Sequence, residues 1–118
     1  MKTGIDMVEV DRFKLTNYEK FLEKYFTLNE IEYCLSKKNK FETIAGIYSA
    51  KEAVLKAFKI GIGAGISLKQ IEISHFNNIP YVTNNEVIKN LLLNENAKEI
   101  DINISHTQNL AISVCIIN

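Results

Sequence analysis

The sequence predicts an α+β protein in which helices pack on a mostly antiparallel sheet around one long central helix. Residues 41–58 keep a helical pattern rich in alanine, with no proline to interrupt it. Residues 100–106 alternate strictly, and 110–117 are rich in β-branched side chains, as in strands. The short segment 107–109 suits a hairpin, so these two strands are expected to be antiparallel neighbours. With no repeat or long linker, residues 1–118 are expected to form a single domain.

The composition is that of an ordinary globular protein. Hydrophobic residues make up 47% of the chain, and 14 basic side chains balance 14 acidic ones. This balance argues against nucleic-acid binding driven by net charge, and no segment has the roughly 20 apolar residues that cross a membrane. Asp6 and its acidic neighbours argue against a signal peptide, so the cytoplasm is the expected location. Cys34 and Cys115 lie in apolar surroundings and are expected to be reduced core residues.

The first part of the chain carries clear signals for the ends of helices. Asp11 is placed to cap a helix, because its side chain can accept a bond from a free backbone amide. Thr27 and Glu30 form a capping box for the next helix. The predicted segments are a strand at 2–10, a helix at 12–26, a helix from 28 to about 35 and a basic loop at 36–40.

A glycine-rich turn follows the central helix. Gly61, Gly63 and Gly65 are expected to end the helix, since glycine adopts the left-handed conformation without strain. The remaining segments are a connection at 67–69, a strand at 70–75, a turn at 76–79, a strand at 80–82, a helix at 85–94 and the final hairpin.

Asp6 and Glu52 are the carboxylates that need an explanation. Each lies among apolar or small residues, where an ionised group is costly to bury. Two carboxylates, completed by water and phosphate oxygens, suit Mg²⁺. Alternatively, Asp6 bonds to backbone amides and Glu52 pairs with Lys56 one helical turn away, a pair worth about 0.2–0.5 kcal/mol. The spacing by itself leaves both interpretations open.

The glycine-rich turn and the last hairpin are weaker signals. The turn resembles a phosphate-binding loop, yet it follows a helix and not a strand, so it does not meet the context of a dinucleotide fingerprint. Its backbone amides either approach a phosphate or simply end the helix. His106 ends a strand beside Ser105 and Thr107, a position where a histidine is more often a capping or surface residue.

Taken together, these segments resemble the holo-[acyl-carrier-protein] synthase family, the small bacterial type of 4'-phosphopantetheinyl transferase. Order and spacing hold from residue 4 to residue 117. The motifs that carry the resemblance are residues 4–12, residues 26–30, residues 45–58 with Gly61 and Gly63, and residues 104–107 with Ala111. The resemblance implies the fold of that family.

The resemblance also implies an activity. The family transfers the 4'-phosphopantetheine group of coenzyme A to a serine of apo acyl carrier protein and releases adenosine 3',5'-bisphosphate, in support of fatty acid biosynthesis. Mg²⁺ is the implied cofactor, with coenzyme A and apo acyl carrier protein as partners. A homotrimer with active sites at the subunit interfaces is implied as well.

Residue roles follow from the resemblance by position. Asp6 and Glu52 match the carboxylates that bind the metal, and Lys56 matches the lysine that meets the phosphates; these three are the implied catalytic residues. Glu30 is implied to place water or the attacking serine, and Arg12 to meet the acidic carrier protein. Contacts to coenzyme A are implied for Lys56, Gly61, Gly63, Ser105, His106 and Thr107.

The chain departs from the family pattern at Ile47, where arginine is common. If that arginine contacts a phosphate, another basic residue must replace it. Two other functions stay open on the sequence. One is a noncatalytic module that binds coenzyme A or a carrier protein, and the other is a different Mg²⁺-dependent phosphate-transfer or hydrolytic enzyme.

Overall fold

The structure, a computed structural model, describes residues 1–15, 17–61 and 65–118. It confirms an α+β fold with one long helix, α4. In chain order the elements are β1 (Lys2–Glu9), α1 (Asp11–Lys14), α2 (Tyr18–Tyr25), α3 (Leu28–Leu35), α4 (Lys40–Ala57), a 3₁₀ turn (Leu68–Gln70), β2 (Ile73–Phe76), β3 (Ile79–Val82), α5 (Glu86–Asn94), β4 (Ile100–His106) and β5 (Leu110–Ile117). Within the described ranges, no helix is long and apolar enough to cross a membrane.

The strands form two antiparallel sheets. β5 lies between β1 and β4 in a three-stranded sheet, whereas β2 pairs with β3 in a separate ribbon. The predicted hairpin between β4 and β5 is confirmed, and its register places His106 opposite Ala111. Buried and exposed residues alternate along β5, because α4 covers one face of the sheet.

Helix α4 packs directly on β1 and β5. Gly4 permits this close approach, since a Cβ there would lie 2.0 Å from the carbonyl oxygen of Ala53. Where α4 packs on β5, the buried hydroxyls of Ser49 on the helix and Ser113 on the strand lie 2.5 Å apart, so these two polar groups are hydrogen bonded inside the core. Asp6 shares the inner face of β1 with Gly4 and Val8, and this placement brings its carboxylate to α4.

The predicted helix at 12–26 is wrong, because two short helices occupy this stretch. Asn17 begins the second one: its side chain accepts a bond from the amide of Lys20. Asp11 is not the cap of the first helix, since Val10 occupies that position and Asp11 is already helical. The capping box of Thr27 and Glu30 is confirmed, with reciprocal bonds of 3.2 and 2.8 Å.

The central helix ends differently from the prediction. Lys59, with φ of 60°, takes the left-handed position that was expected of a glycine. Its amide bonds to the carbonyl of Lys56, and the amide of Ile60 bonds to that of Leu55, the paired pattern of a Schellman motif. Gly61 follows as an exposed residue, and Gly63 lies outside the described residues.

The predicted strand at 70–75 begins too early. Ser67 and Gln70 close the 3₁₀ turn with a capping box, which occupies the predicted connection and the first residue of the predicted strand. The strand therefore starts at Ile73, where pairing with Val82 begins. The helix predicted at 85–94 is confirmed, with Asn85 as its cap and Ile88 and Leu92 buried.

Candidate active site

Asp6, Lys56 and Glu52 meet where β1 crosses the second half of α4. Lys56 Nζ lies 2.9 Å from Asp6 Oδ1, so the helix and the strand are joined by an ion pair. The Asp6 side chain is mostly covered, at 14% exposure, whereas that of Lys56 is 55% exposed. Lys56 therefore bonds to Asp6 across the two elements, and not to Glu52 along the helix as the alternative interpretation required.

Glu52 is partly buried beside this pair. Burial raises the pKa of the Glu52 carboxyl above its ordinary value, and the negative charge of Asp6 raises it further. Tyr48, Lys56 and Arg12 act in the opposite direction on the same pKa. A cation bound by both carboxylates would offset the repulsion between their negative charges. Carboxylate oxygens are also the ligands that Mg²⁺ prefers. The residues present therefore fit a magnesium ion.

No group of three or more metal-binding side chains occurs in the part of the chain that the structure describes. A cation held by Asp6 and Glu52 would complete its shell with water and with oxygens of the substrate, as is usual for Mg²⁺ bound to phosphates. This arrangement leaves coordination positions free for the substrate.

A cleft of about 360 Å³ opens beside Glu52. Tyr48, Glu52 and Leu55 contribute to it from α4, and Gly61 comes from the segment after that helix. Arg12 also lines the cleft: its guanidinium lies 5.0 Å from the centre of the Tyr48 ring. The rest of the lining comes from Phe21, Lys24, Tyr25, Ile66, Ser67 and Leu68. The lining of the cleft therefore combines cationic and apolar side chains.

Glu30 and Lys51 form an ion pair that the sequence did not reveal. Both side chains have no exposed surface, and Lys51 Nζ lies 2.7 Å from Glu30 Oε1. The carboxylate of Glu30 also accepts hydrogen bonds from within the protein, which include one from the amide of Ile73. The expectation that Glu30 places water or an attacking serine is wrong, because no reactant can reach a carboxylate buried in this way.

The last hairpin contacts α4 near the start of that helix, far from Glu52. His106 Nδ1 is 2.9 Å from Oε1 of Glu42, near the start of α4. Glu42 and Glu52 are ten residues apart on α4, so they are separated by about 15 Å along its axis. Ser105 faces the opposite side of the sheet, and Thr107 Oγ1 accepts bonds from the amides of Asn109 and Leu110 in the turn. A single chain does not bring these residues to Glu52.

A second cavity, of about 370 Å³, lies beside His106. Lys37 and Lys38 line it together with Ile47, whose side chain is buried. His75 and Tyr33 form another part of its wall, with their rings stacked at 3.7 Å between centres. Two lysines therefore line the same cavity as Ile47.

The chain resembles known proteins along nearly its whole length. The family model of the 4'-phosphopantetheinyl transferase superfamily matches residues 2–115. A holo-[acyl-carrier-protein] synthase from Thermoanaerobacter sp. (strain X514) is 43% identical over 116 residues, which cover 96% of this chain and 83% of the relative. Another from Finegoldia magna is 36% identical over 118 residues, covering 99% of this chain and 95% of the relative.

Solved structures agree with the sequence relationship. The crystal structure of the Helicobacter pylori holo-[acyl-carrier-protein] synthase in complex with coenzyme A superposes with a TM-score of 0.83 at 32% identity, covering 98% of this chain and 99% of the other. The synthase from Neisseria meningitidis, at 20% identity, supports the fold with a TM-score of 0.86 and covers 99% and 97% of the two chains. The chain therefore belongs to the 4'-phosphopantetheinyl transferase superfamily, in its holo-[acyl-carrier-protein] synthase family.

Proposed function

We propose that this protein transfers the 4'-phosphopantetheine group of coenzyme A to a serine of apo acyl carrier protein, releases adenosine 3',5'-bisphosphate and so supports fatty acid biosynthesis. The observation that carries the proposal is the meeting of Asp6, Glu52 and Lys56, of which Glu52 lines an open cleft. Two carboxylates and a lysine beside an open volume suit a reaction at a pyrophosphate. The relatives named above and the coenzyme A complex support the choice of substrates.

Asp6 and Glu52 would hold the Mg²⁺ ion. When bound, the ion supplies positive charge to the pyrophosphate oxygens. Lys56 keeps an exposed ammonium group beside these carboxylates, where it can bind a phosphate oxygen as charge develops on the leaving group. Gly61 borders the same cleft and lets the substrate approach the backbone closely. These roles, with that of Gly63, are proposals that rest on position in the family motif.

Coenzyme A would extend from this cleft to residues of a neighbouring subunit. The separation between Glu52 and His106 within one chain supports this, because both match motifs that meet the same substrate. In our proposal a second subunit supplies Ser105, His106 and Thr107, and the assembly is a homotrimer. The cationic lining of the cavity near His106 offers Lys37 and Lys38 in place of the missing arginine at Ile47.

An apolar surface supports the assembly. Ile5 and Met7 on β1 and Ile112 on β5 are 59%, 63% and 40% exposed on the face of the sheet that α4 does not cover. Met7 and Ile112 are direct partners across the strands. A contiguous apolar sheet face of this kind is typical of a protein–protein interface. Arg12, at the edge of the active-site cleft, is positioned to meet an acidic carrier protein.

Intact-mass spectrometry tests this function. The protein is incubated with coenzyme A, Mg²⁺ and apo acyl carrier protein, and the carrier is weighed before and after. We expect the carrier to gain one phosphopantetheine group. A parallel sample in which the serine acceptor is replaced by alanine should gain nothing. An unchanged wild-type carrier, with an established transferase active on the same preparation, would contradict the proposal.

A further inference from the structure

We propose that Lys51 is a positioning residue that ties together the parts of the cleft wall beside Glu52. The inference deepens the proposed function and rests on it for the identity of the substrate. Lys51 does not touch the cleft, because its side chain has no exposed surface. Its effect on binding would pass through the backbone groups to which it bonds.

The bonds of Lys51 reach two segments that line the cleft. Its ammonium group donates to the carbonyl of Tyr25, at the end of α2, over 3.2 Å. It also donates to the carbonyls of Leu68 and Ile71, over 2.9 and 3.0 Å. Tyr25 and Leu68 both line the cleft, and Glu52 is the next residue after Lys51 on α4. One buried cation therefore joins three elements around the proposed metal site.

Glu30 provides the countercharge that permits this burial. Its Oε1 lies 2.7 Å from Lys51 Nζ and accepts the amide of Thr27, and its Oε2 accepts the amide of Ile73. Burial raises the pKa of Glu30 and lowers the pKa of Lys51, while the charge of each partner opposes the shift in the other. The pair is fully hydrogen bonded, so its geometry is tightly defined.

Lysine is suited to this task by its chemistry. Leu68 and Ile71 belong to a segment with little regular structure, the 3₁₀ turn and the residues that follow it. The carbonyl of Leu68 already accepts the amide of Ile71, so Lys51 adds a second donor there. The carbonyl of Ile71 accepts Lys51 as well, and a buried carbonyl must be satisfied. An ammonium group presents three donors, which the three carbonyls and the Glu30 carboxylate share as they converge from different directions. A methionine of similar length would fill the space and supply none of them.

Lys69 offers a matched control. Its Nζ donates to the carbonyl of Glu23 over 2.8 Å, so it also joins the 3₁₀ turn to α2. Lys69 is exposed, and water can replace its bond when the side chain is removed. Substitution of Lys69 therefore removes one lysine and one tie between the same elements without leaving a dry, unsatisfied carbonyl.

Hydrogen exchange and enzyme kinetics together test the proposal on Lys51→Met and Lys69→Met. In Lys51→Met, amides of residues 66–72 should exchange at least about tenfold faster, while those of β1 and β5 stay unchanged. The KM for coenzyme A should rise at least about tenfold, since small displacements of a binding wall are costly. Lys69→Met should stay within about twofold of the wild type by both measures.

The double variant Glu30→Gln/Lys51→Met keeps the test valid if Lys51→Met fails to fold, because it leaves no unpaired buried charge. Unchanged exchange at 66–72 in either folded variant would overturn the proposal. A similar acceleration throughout the chain, or loss of folding in both variants, would also overturn it, by showing a global role. If the wild type transfers nothing to a carrier protein, the proposed function fails, whereas the exchange result still decides the role of Lys51.

Discussion

Lys56 on α4 and Asp6 on β1 form an ion pair at 2.9 Å between residues fifty positions apart in the chain. The contact depends on the close approach of the helix to the strand at Gly4, where a side chain would collide with Ala53. Packing of the core thus sets the geometry of the candidate site. In the proposed function, this geometry holds a metal ion and a phosphate together.

Substitution of the carboxylates should remove transfer without loss of the fold. In Asp6→Asn or Glu52→Gln we expect kcat to fall about 100-fold or more, because the positive charge that stabilises the transition state is no longer held in place. Titration with Mg²⁺ should show weaker binding of the ion, so the remaining activity should saturate only at a higher Mg²⁺ concentration. The exposed carboxylate of Glu86 on α5 is the control, and Glu86→Gln should behave as the wild type. Full activity of either site variant at limiting Mg²⁺ would contradict the metal assignment.

Lys56 should matter for catalysis and little for stability. Its side chain is 55% exposed, so its pair with Asp6 is screened by solvent and is expected to contribute at most about 1 kcal/mol to the free energy of unfolding. Lys56→Met should lower kcat/KM about 100-fold, through the loss of a cation at the phosphates. Lys89→Met, at 54% side-chain exposure on α5, is the matched control. Equal kinetics in the two variants would remove Lys56 from the site.

The apolar face of the sheet should control assembly. A charge at Met7 or Ile112 would be buried without a partner in a subunit interface, so Met7→Lys and Ile112→Lys should shift the protein toward monomers in sedimentation. Leu93→Lys on α5 places the same charge at another exposed apolar residue, 76% exposed, and should leave the oligomer intact. A monomeric wild type at micromolar concentration would contradict the proposed trimer.

A shared active site also predicts complementation. Glu52→Gln and His106→Ala would each damage a different half of the site. When the two variants are mixed and allowed to exchange subunits, some interfaces regain an intact pair of halves, so activity should exceed the sum of the separate samples. Activity that stays additive after verified subunit exchange would contradict an active site shared between subunits.

His75 should make the stability depend on pH. Burial and the charge of Lys37 lower the pKa of His75 from 6.5 to about 4, so the folded state favours the neutral ring. The unfolded chain takes up a proton near pH 6.5, and this histidine's contribution to stability is therefore lost as the pH falls from about 6.5 to about 4. Solvent screening keeps the effect small for a half-buried ring. His75→Phe should flatten the fall of Tm between pH 7 and pH 5, and equal slopes for variant and wild type would contradict this assignment.

Local signals in the sequence predicted much of the fold. The alternation in β4, the β-branched residues of β5, the capping box at Thr27 and the helical pattern of residues 85–94 each depend on a few neighbouring residues, and all of these elements are present in the structure. The break between α1 and α2 was missed because apolar residues continue across it, although Asn17 was an available capping signal. The left-handed Lys59 at the end of α4 was also missed, because the three glycines that follow it are the residue type that usually adopts this conformation.

The candidate site was only partly predictable, for reasons of distance and burial. Asp6 and Glu52 stood out because charge among apolar residues is costly, but the partner of Lys56 lies in another element and leaves no local pattern. Lys51 gave no signal, since a lysine on a helix is usually solvated. Its position directly before Glu52 was the hint, and only the packing of α2, α4 and the 3₁₀ turn reveals its bonds.

The central claim is tested most directly by measuring both products of the proposed reaction. After incubation with coenzyme A, Mg²⁺ and apo acyl carrier protein, the amount of adenosine 3',5'-bisphosphate is compared with the amount of carrier that has gained a phosphopantetheine group. Transfer to the serine predicts equal molar amounts of the two. Release of the bisphosphate without a gain in carrier mass would show that water is the acceptor, and absence of both products would leave the protein without the proposed activity.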